Sequence, residues 1–214
     1  MAMIAGTVYG VALNDREKHL RLAPLFNEPP YKKPPQRPVL YIKPRNCLTE
    51  VGGSIPLSPG LTQVEVAATL GLLLGRDARR VTAETALGHV AGICLALDVA
   101  EPSDGYYRPP LRQRCRDGFL PLGALAGFDP SLLNGNIETS VNDAAVHTWS
   151  PRRLLRNAAS LIADISAFMT LAAGDLLLIG LAHDALRAGS GDRITVRAEF
   201  LPELSAQLNR EAGA

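Results

Sequence analysis

Asp98 lies near the end of an apolar run, residues 90–99. A carboxylate in such a place must be hydrogen-bonded, paired or a ligand, because a bare buried charge is costly. Cations gather near it in the sequence: Arg108, Arg112, Arg114 and Arg116 follow within one short stretch, and Lys43 and Arg45 stand together at the end of a predicted strand. Such a cationic set suits a small dicarboxylate. It equally suits a solvated loop whose surface ion pairs contribute little. Cys115, between Arg114 and Arg116, has the positive neighbours of a reactive thiol; its other reading is a small side chain packed beside a loop. His19, His89, His147 and His183 are far apart and read as surface or structural histidines rather than as a metal set. Gly-x-Gly-x-x-Gly, P-loop, His-Glu-x-x-His and Gly-x-Ser-x-Gly patterns are all missing, which removes the usual anchors for nucleotide, zincin and α/β-hydrolase chemistry.

The elements that must carry these residues are mostly strands. Residues 4–13 read as a first strand, and Pro24, Pro29, Pro30, Pro34, Pro35 and Pro38 then impose an extended loop or lid. Val39–Lys43 reads as the strand that delivers Lys43 and Arg45 to one end of a sheet. Gly52-Gly53 and Ser58-Pro59-Gly60 mark turns before the apolar run Leu70-Gly71-Leu72-Leu73-Leu74, which Gly75-Arg76 closes; Thr82 is a candidate helix N-cap. Residues 119–125 and Ile137–Val141 are further strands, the latter closed by the hairpin pair Asn142-Asp143. Ser150-Pro151 opens a predicted helix whose apolar face runs through Leu154, Leu155, Ala158, Leu161, Ile162, Ile165, Phe168 and Met169 at spacings of three and four. Gly174-Asp175 and Gly191-Asp192 each feed a strand, residues 176–180 and 193–200. Many strands and few helices favour a β-rich mixed α+β fold over a doubly wound sheet.

At 214 residues the chain reads as one domain spanning 1–214 with room for a sizeable core: 47% of residues are hydrophobic and 20% charged. The net charge of +1 offers no field for nucleic acid or an anionic membrane. Cys47, Cys94 and Cys115 lack a Cys-x-x-Cys pair and read as reduced thiols of a cytoplasmic protein. The first ten residues lack a signal-peptide pattern, and no apolar run approaches a membrane span.

The order of these segments, with Tyr106-Tyr107-Arg108-Pro109 and the stretch Arg114-Cys115-Arg116-Asp117-Gly118-Phe119-Leu120-Pro121-Leu122-Gly123, resembles the fumarylacetoacetate hydrolase family. Further matching segments are Val11-Ala12-Leu13-Asn14, Tyr31-Lys32, Ile42-Lys43-Pro44-Arg45-Asn46, Arg156-Asn157-Ala158-Ala159, and Met169-Thr170-Leu171 leading to Gly174-Asp175. Within the family the likeness is to the isomerase/decarboxylase branch of 4-hydroxyphenylacetate (homoprotocatechuate) breakdown, in its N-terminal half or subunit. The resemblance implies the family's β-roll. It also implies Mg²⁺ or Mn²⁺ chelating the carboxylate and the 2-oxo or enolate oxygen of an unsaturated oxo-dicarboxylate, and a partner that is either a homologous C-terminal-type subunit or a second copy of the chain.

The family's Glu-x-Glu pair falls on Ala67 and Thr69, counting back from Gly75, so Asp98 is the one metal-ligand position retained; Glu65 lies two residues earlier. One carboxylate makes a poor Mg²⁺ site, and no tightly held metal is expected of this chain. By the same resemblance Lys43, Arg114 and Asp117 stand at catalytic positions and Arg45 and Arg116 at substrate-binding ones. Arg114 replaces a family lysine, Gly180-Leu181-Ala182 replaces Gly-Thr-Pro, and Lys18 stands at the offset of a lid histidine, with His19 one step on.

Overall fold

The computed structural model describes residues 4–29, 32–102 and 111–211, apart from the side chains of 145 and 146. Tyr31 and Tyr106-Tyr107-Arg108-Pro109 lie outside the described residues. The strands are β1 Val8–Ala12, β2 Val39–Lys43, β3 Leu48–Thr49, β4 Ser54–Leu57, β5 Gln63–Leu74, β6 Val90–Ala100, β7 Leu120–Pro121, β8 Ala126–Gly127, β9 Ile137–Val141, β10 Ala144–Trp149, β11 Leu176–Leu178, β12 Leu186–Gly189, β13 Arg193–Ala198 and β14 Leu204–Arg210. The helices are α1 Arg16–Leu22, α2 Ala83–Ala86, α3 Leu111–Arg114 and α4 Ala158–Ser166. The architecture is the β-rich α+β arrangement expected from the strand pattern.

The long antiparallel pair β5·β6 organises the chain, in register from Glu65 opposite Ala100 to Leu74 opposite Val90. Side chains alternate between the two faces of a strand, so Val64, Val66, Ala68, Leu70, Leu72 and Leu74 of β5 and Ile93, Leu95, Leu97 and Val99 of β6 enter the main core. The opposite face carries Glu65, Ala67 and Thr69, with Ala67 directly across from Asp98. The sheet runs β2-β1-β11-β5-β6-β8, β12 joining β5 beyond β11. A second sheet, β10-β9-β13-β14-β4, packs over the main core.

The sheet curls strongly. Four steps of about 4.8 Å separate β2 from β6 along it, yet Tyr41 of β2 touches Asp98 of β6. Ladder hydrogen bonds do not join these two strands; side chains do.

Three expected elements differ from the structure. Of residues 119–125, expected as a strand, only Leu120–Pro121 is one. The helix foreseen from Ser150 begins at Asn157, whose side chain accepts from the Ser160 amide at 2.9 Å. Ser150 instead caps the single 3₁₀ turn Pro151–Arg153. The intervening chain is held extended by Asn14, whose carbonyl accepts from Leu155 N at 2.8 Å and whose side-chain oxygen accepts from Arg156 N at 3.0 Å. Leu155 and Phe168 are consequently exposed, outside the apolar face assigned to them. In the proline-rich stretch after β1, α1 forms before the prolines begin. Asp15 caps it, accepting from the Glu17 and Lys18 amides at 3.1 and 3.0 Å, and Pro24 sits in the 3₁₀ turn that follows. The Asn142-Asp143 turn joins β9 to β10 as expected, both residues having positive φ.

Candidate active site

Asp98 is completely buried and every near atom is a donor. Its Oδ1 meets Lys43 Nζ at 3.0 Å and Arg114 Nη1 at 3.0 Å, and its Oδ2 accepts from the Tyr41 hydroxyl at 2.5 Å. The bare charge that the sequence forbade is thus spread over two cations and a phenol.

Each partner has a local reason for its position. Tyr41 pairs with Gly10 across β1·β2, and a Cβ on Gly10 would stand inside the tyrosine ring. Glycine is therefore required for the ring to lie flat against β1 and aim its hydroxyl at Asp98. The Arg114 guanidinium lies 5.1 Å from the centre of that ring, a cation–π contact. Burial, and then the Asp98 charge, push the Tyr41 hydroxyl well above its usual ionisation range. Burial works against the Arg114 charge, but Asp98 and Tyr41 outweigh it and raise its pKa.

Lys43 is bound tightly. Its ammonium donates to the carbonyls of Val99, Arg114 and Phe119 at 2.9, 2.7 and 3.0 Å, and its side chain is wholly buried. An ammonium has three protons, and those three carbonyls use them all. Lys43 therefore ties β2 to β6 and to the segment after α3, across the open side of the curled sheet.

Of the other residues singled out from the sequence, Asp117 is exposed and accepts from Asn46 Nδ2 at 2.7 Å. Arg116 pairs with Glu101 and donates to Ser58 Oγ at 2.8 Å. Arg45 is exposed just beyond β2. The fold thus brings Lys43, Arg114 and Asp98 into contact and engages Asp117 and Arg116 with other partners. Cys115 shares its loop with Arg114 and donates weakly to the Ile42 carbonyl.

The donors present do not make a divalent-cation site. Across from Asp98 stands Ala67, and the Thr69 hydroxyl is already given to the Gly180 carbonyl at 2.6 Å. Both Asp98 oxygens face donors rather than open space. Among the described residues no group of three or more His, Cys, Asp or Glu side chains is disposed to hold a metal ion.

Lys18 and Tyr41 complete the constellation. Tyr41 carried no sequence signal beyond a tyrosine between apolar strand residues. Lys18 lies half-buried in the first turn of α1, within electrostatic reach of Arg114, Glu65, Asp15 and Asp98, and burial followed by the Arg114 charge lowers its pKa. What anchors that turn is a cluster of polar side chains beneath it: buried Asp15 meets Arg153 Nε at 3.0 Å, while exposed Glu17 meets His183 Nε2 at 3.2 Å.

The curled β-sheet, with a buried carboxylate on β6 held by donors from β2 and α3, defines a class, and residues 7–209 match the model of the fumarylacetoacetate (FAA) hydrolase C-terminal domain. The chain belongs to the fumarylacetoacetate hydrolase family. It is 39% identical over 202 residues to the 4-hydroxyphenylacetate degradation bifunctional isomerase/decarboxylase of Escherichia coli, a match covering 93% of this chain and 46% of that protein. The chain thus spans about half the length of the curated relative it matches. Among solved structures it resembles 5-carboxymethyl-2-hydroxymuconate delta-isomerase from Mycobacterium smegmatis, with a TM-score of 0.81, 24% identity, and 99% of this chain and 81% of that one covered. It also resembles fumarylpyruvate hydrolase from Pseudomonas aeruginosa in complex with Mn²⁺ and pyruvate, with a TM-score of 0.77, 18% identity, and coverage of 96% and 90%. At these identities the two structures speak for the fold.

Proposed function

We propose that this chain is one half, of the N-terminal type, of an isomerase/decarboxylase acting on unsaturated oxo-dicarboxylates: 2-hydroxyhepta-2,4-diene-1,7-dioate isomerase and 5-oxopent-3-ene-1,2,5-tricarboxylate decarboxylase. Its partner is a homologous C-terminal-type half or a second copy, and the complex works in the cytoplasm. The observation that carries this reading is the likeness to the bifunctional enzyme over nearly all of this chain and about half of the relative. The oxo-acid is taken up beside the Asp98 cluster through positive charge supplied by side chains. Arg114 is the receptor: Asp98 engages its Nη1, and the rest of the guanidinium fork is free among the described residues to grip a carboxylate. Tyr41 and Lys43 hold Asp98, and through it the arginine, in place. The divalent cation that serves such chemistry elsewhere in the family belongs to the partner half.

Calorimetric titration of the purified chain with Mn²⁺, with and without oxalate as an oxo-acid mimic, tests this. Oxalate is expected to bind alone, less tightly in Arg114→Met, while Mn²⁺ adds nothing. One equivalent of Mn²⁺ bound in the presence of oxalate and lost in Asp98→Ala would overturn the division of labour. Turnover should appear on mixing with a homologous C-terminal-type half, and its absence there would overturn the assignment of substrate.

A further inference from the structure

Lys18 has no hydrogen bond or ion pair for its ammonium among the described residues, although it is half-buried and within electrostatic reach of a second cation, Arg114. The other lysines of the chain are Lys32, Lys33 and Lys43. Lys32 and Lys33 are exposed and Lys43 is locked onto three carbonyls, so Lys18 alone is both sheltered and unspent.

Its position is built into the fold. On β5, β11 pairs with Gly71–Leu73 and β12 with Gln63–Val66. Among the described residues the stretch between them is bridged by Ile179 N to the Leu70 carbonyl and by Thr69 Oγ1 to the Gly180 carbonyl. Asn14 fastens the entry to α1 beside this break, donating to the Ile179 carbonyl at 2.8 Å and the Arg156 carbonyl at 3.0 Å. The first turn of α1, with Lys18, is thereby set near the same part of the sheet face where Ala67 and Thr69 have replaced carboxylates. A neighbouring guanidinium and partial desolvation favour a neutral, nucleophilic lysine.

We propose that Lys18 is a catalytic amine, condensing with the 2-oxo group of an oxo-acid whose carboxylate Arg114 holds. The inference rests on the oxo-acid reading of this site and adds to it a covalent chemistry of this chain's own. The lysine nitrogen pair forms a bond to the carbonyl carbon, the oxygen takes a proton, and the carbinolamine loses water to give a protonated imine. For an unsaturated substrate the bond to the departing carboxylate then breaks. Its electron pair passes along the conjugated chain to the imine nitrogen, releasing CO₂ and leaving a dienamine. Protonation of a chain carbon and hydrolysis return the oxo-acid product and the free amine. Loss of a proton in place of CO₂, with return at another carbon, moves the double bond.

Reductive trapping tests this without requiring turnover. The chain is incubated with 2-oxoglutarate and sodium cyanoborohydride near neutral pH and digested, and the adduct is mapped by mass spectrometry. Lys18 is expected to be labelled faster than Lys32 or Lys33, because burial and the Arg114 charge raise its free-amine fraction above theirs. 2-Hydroxyglutarate, which can fill the carboxylate site but cannot form an imine, should slow labelling of Lys18 and leave Lys32 and Lys33 unaffected. Lys18→Arg keeps the charge, and should melt with the wild type and lose the adduct. Labelling of Lys18 no faster than that of Lys32 and Lys33, or unaffected by 2-hydroxyglutarate, would overturn the proposal. Such a failure alongside turnover with a homologous half removes the amine and leaves the functional reading standing; Mn²⁺ binding lost in Asp98→Ala strikes the functional reading and not the labelling.

Discussion

Lys43→Met separates a structural lysine from a substrate-binding one. The substitution keeps a flexible stem of similar length but strands the carbonyls of Val99 and Arg114, which lose donors at 2.9 and 2.7 Å, leaves the Phe119 carbonyl with the Val99 amide alone, and takes one cation from Asp98. Removing one member of a buried ion pair costs about 3–5 kcal/mol, and each stranded buried carbonyl adds roughly 1–3 kcal/mol. Arg114 still faces Asp98, and its side chain is 20% exposed, so water can reach that end and relieve part of the loss. We expect a net destabilisation of about 4–6 kcal/mol, a large part of the roughly 5–15 kcal/mol that holds a domain folded. In urea, where m for a chain of this size is about 2–3 kcal/mol/M, the midpoint should fall by about 2 M. In the double variant Lys43→Met/Asp98→Leu the uncompensated charge is gone. A coupling of about 2–3 kcal/mol in its favour is expected from the double-mutant cycle. A loss below about 1 kcal/mol in Lys43→Met with an unchanged m-value would refute the reasoning. Lost oxo-acid binding at unaltered stability would return Lys43 to a direct role on the substrate.

Gly10→Ala should drive the Tyr41 ring off β1, at a cost of about 1–3 kcal/mol for overpacking, and an ultraviolet titration should find the released hydroxyl ionising at lower pH than in the wild type. Burial pushes both the Cys47 and Cys94 thiols up to about 12 from the 9.0 of a free thiol. The folded chain therefore keeps protons that the unfolded chain releases from pH 9 upward, so stability is intact below about 9 and falls toward 12. Iodoacetamide should accordingly label half-buried Cys115 before the other two, and equal rates would contradict the burial argument. Asp184 carries the opposite sign: burial works against its charge, but hydrogen bonds from His147 and Arg153 prevail and hold it at about 2. Its contribution is present above its unfolded value of 3.8 and lost as pH falls toward 2, and is small because the side chain is 43% exposed. Asp184→Asn should flatten that part of the acid-denaturation curve. Asp15→Ala removes the cap of α1, worth about 0.5–2 kcal/mol, and leaves Arg153 to Asp184, so amide exchange at Lys18 and His19 should accelerate ahead of the β5·β6 core.

The β5·β6 pair could be read from its long apolar runs, and period-two alternation was enough to place positions 67, 69 and 98 on one face once the two strands were paired. The Asn142-Asp143 turn was equally legible, because few residues tolerate two successive positive φ values. The helix after Ser150 was read too long: its spacing of apolar residues continues back to Leu154, but that leucine is buried by extended chain that Asn14, distant in sequence, holds in place. Helix α1 was missed because its seven residues bury nothing fully, and its strongest signal is the cap at Asp15.

The resemblance to the family placed Ala67 and Thr69 where its carboxylates stand, and residue types alone showed that cations lie near Asp98 in the sequence. Which cations reach it, and which are already spent, was decided by tertiary structure. Tyr41 and Lys43, both on β2, and Arg114, at the end of α3, meet around Asp98 because the sheet curls until β2 faces β6. Curl and closure arise from the packing of many strands together, and no local pattern of apolar and polar residues encodes them.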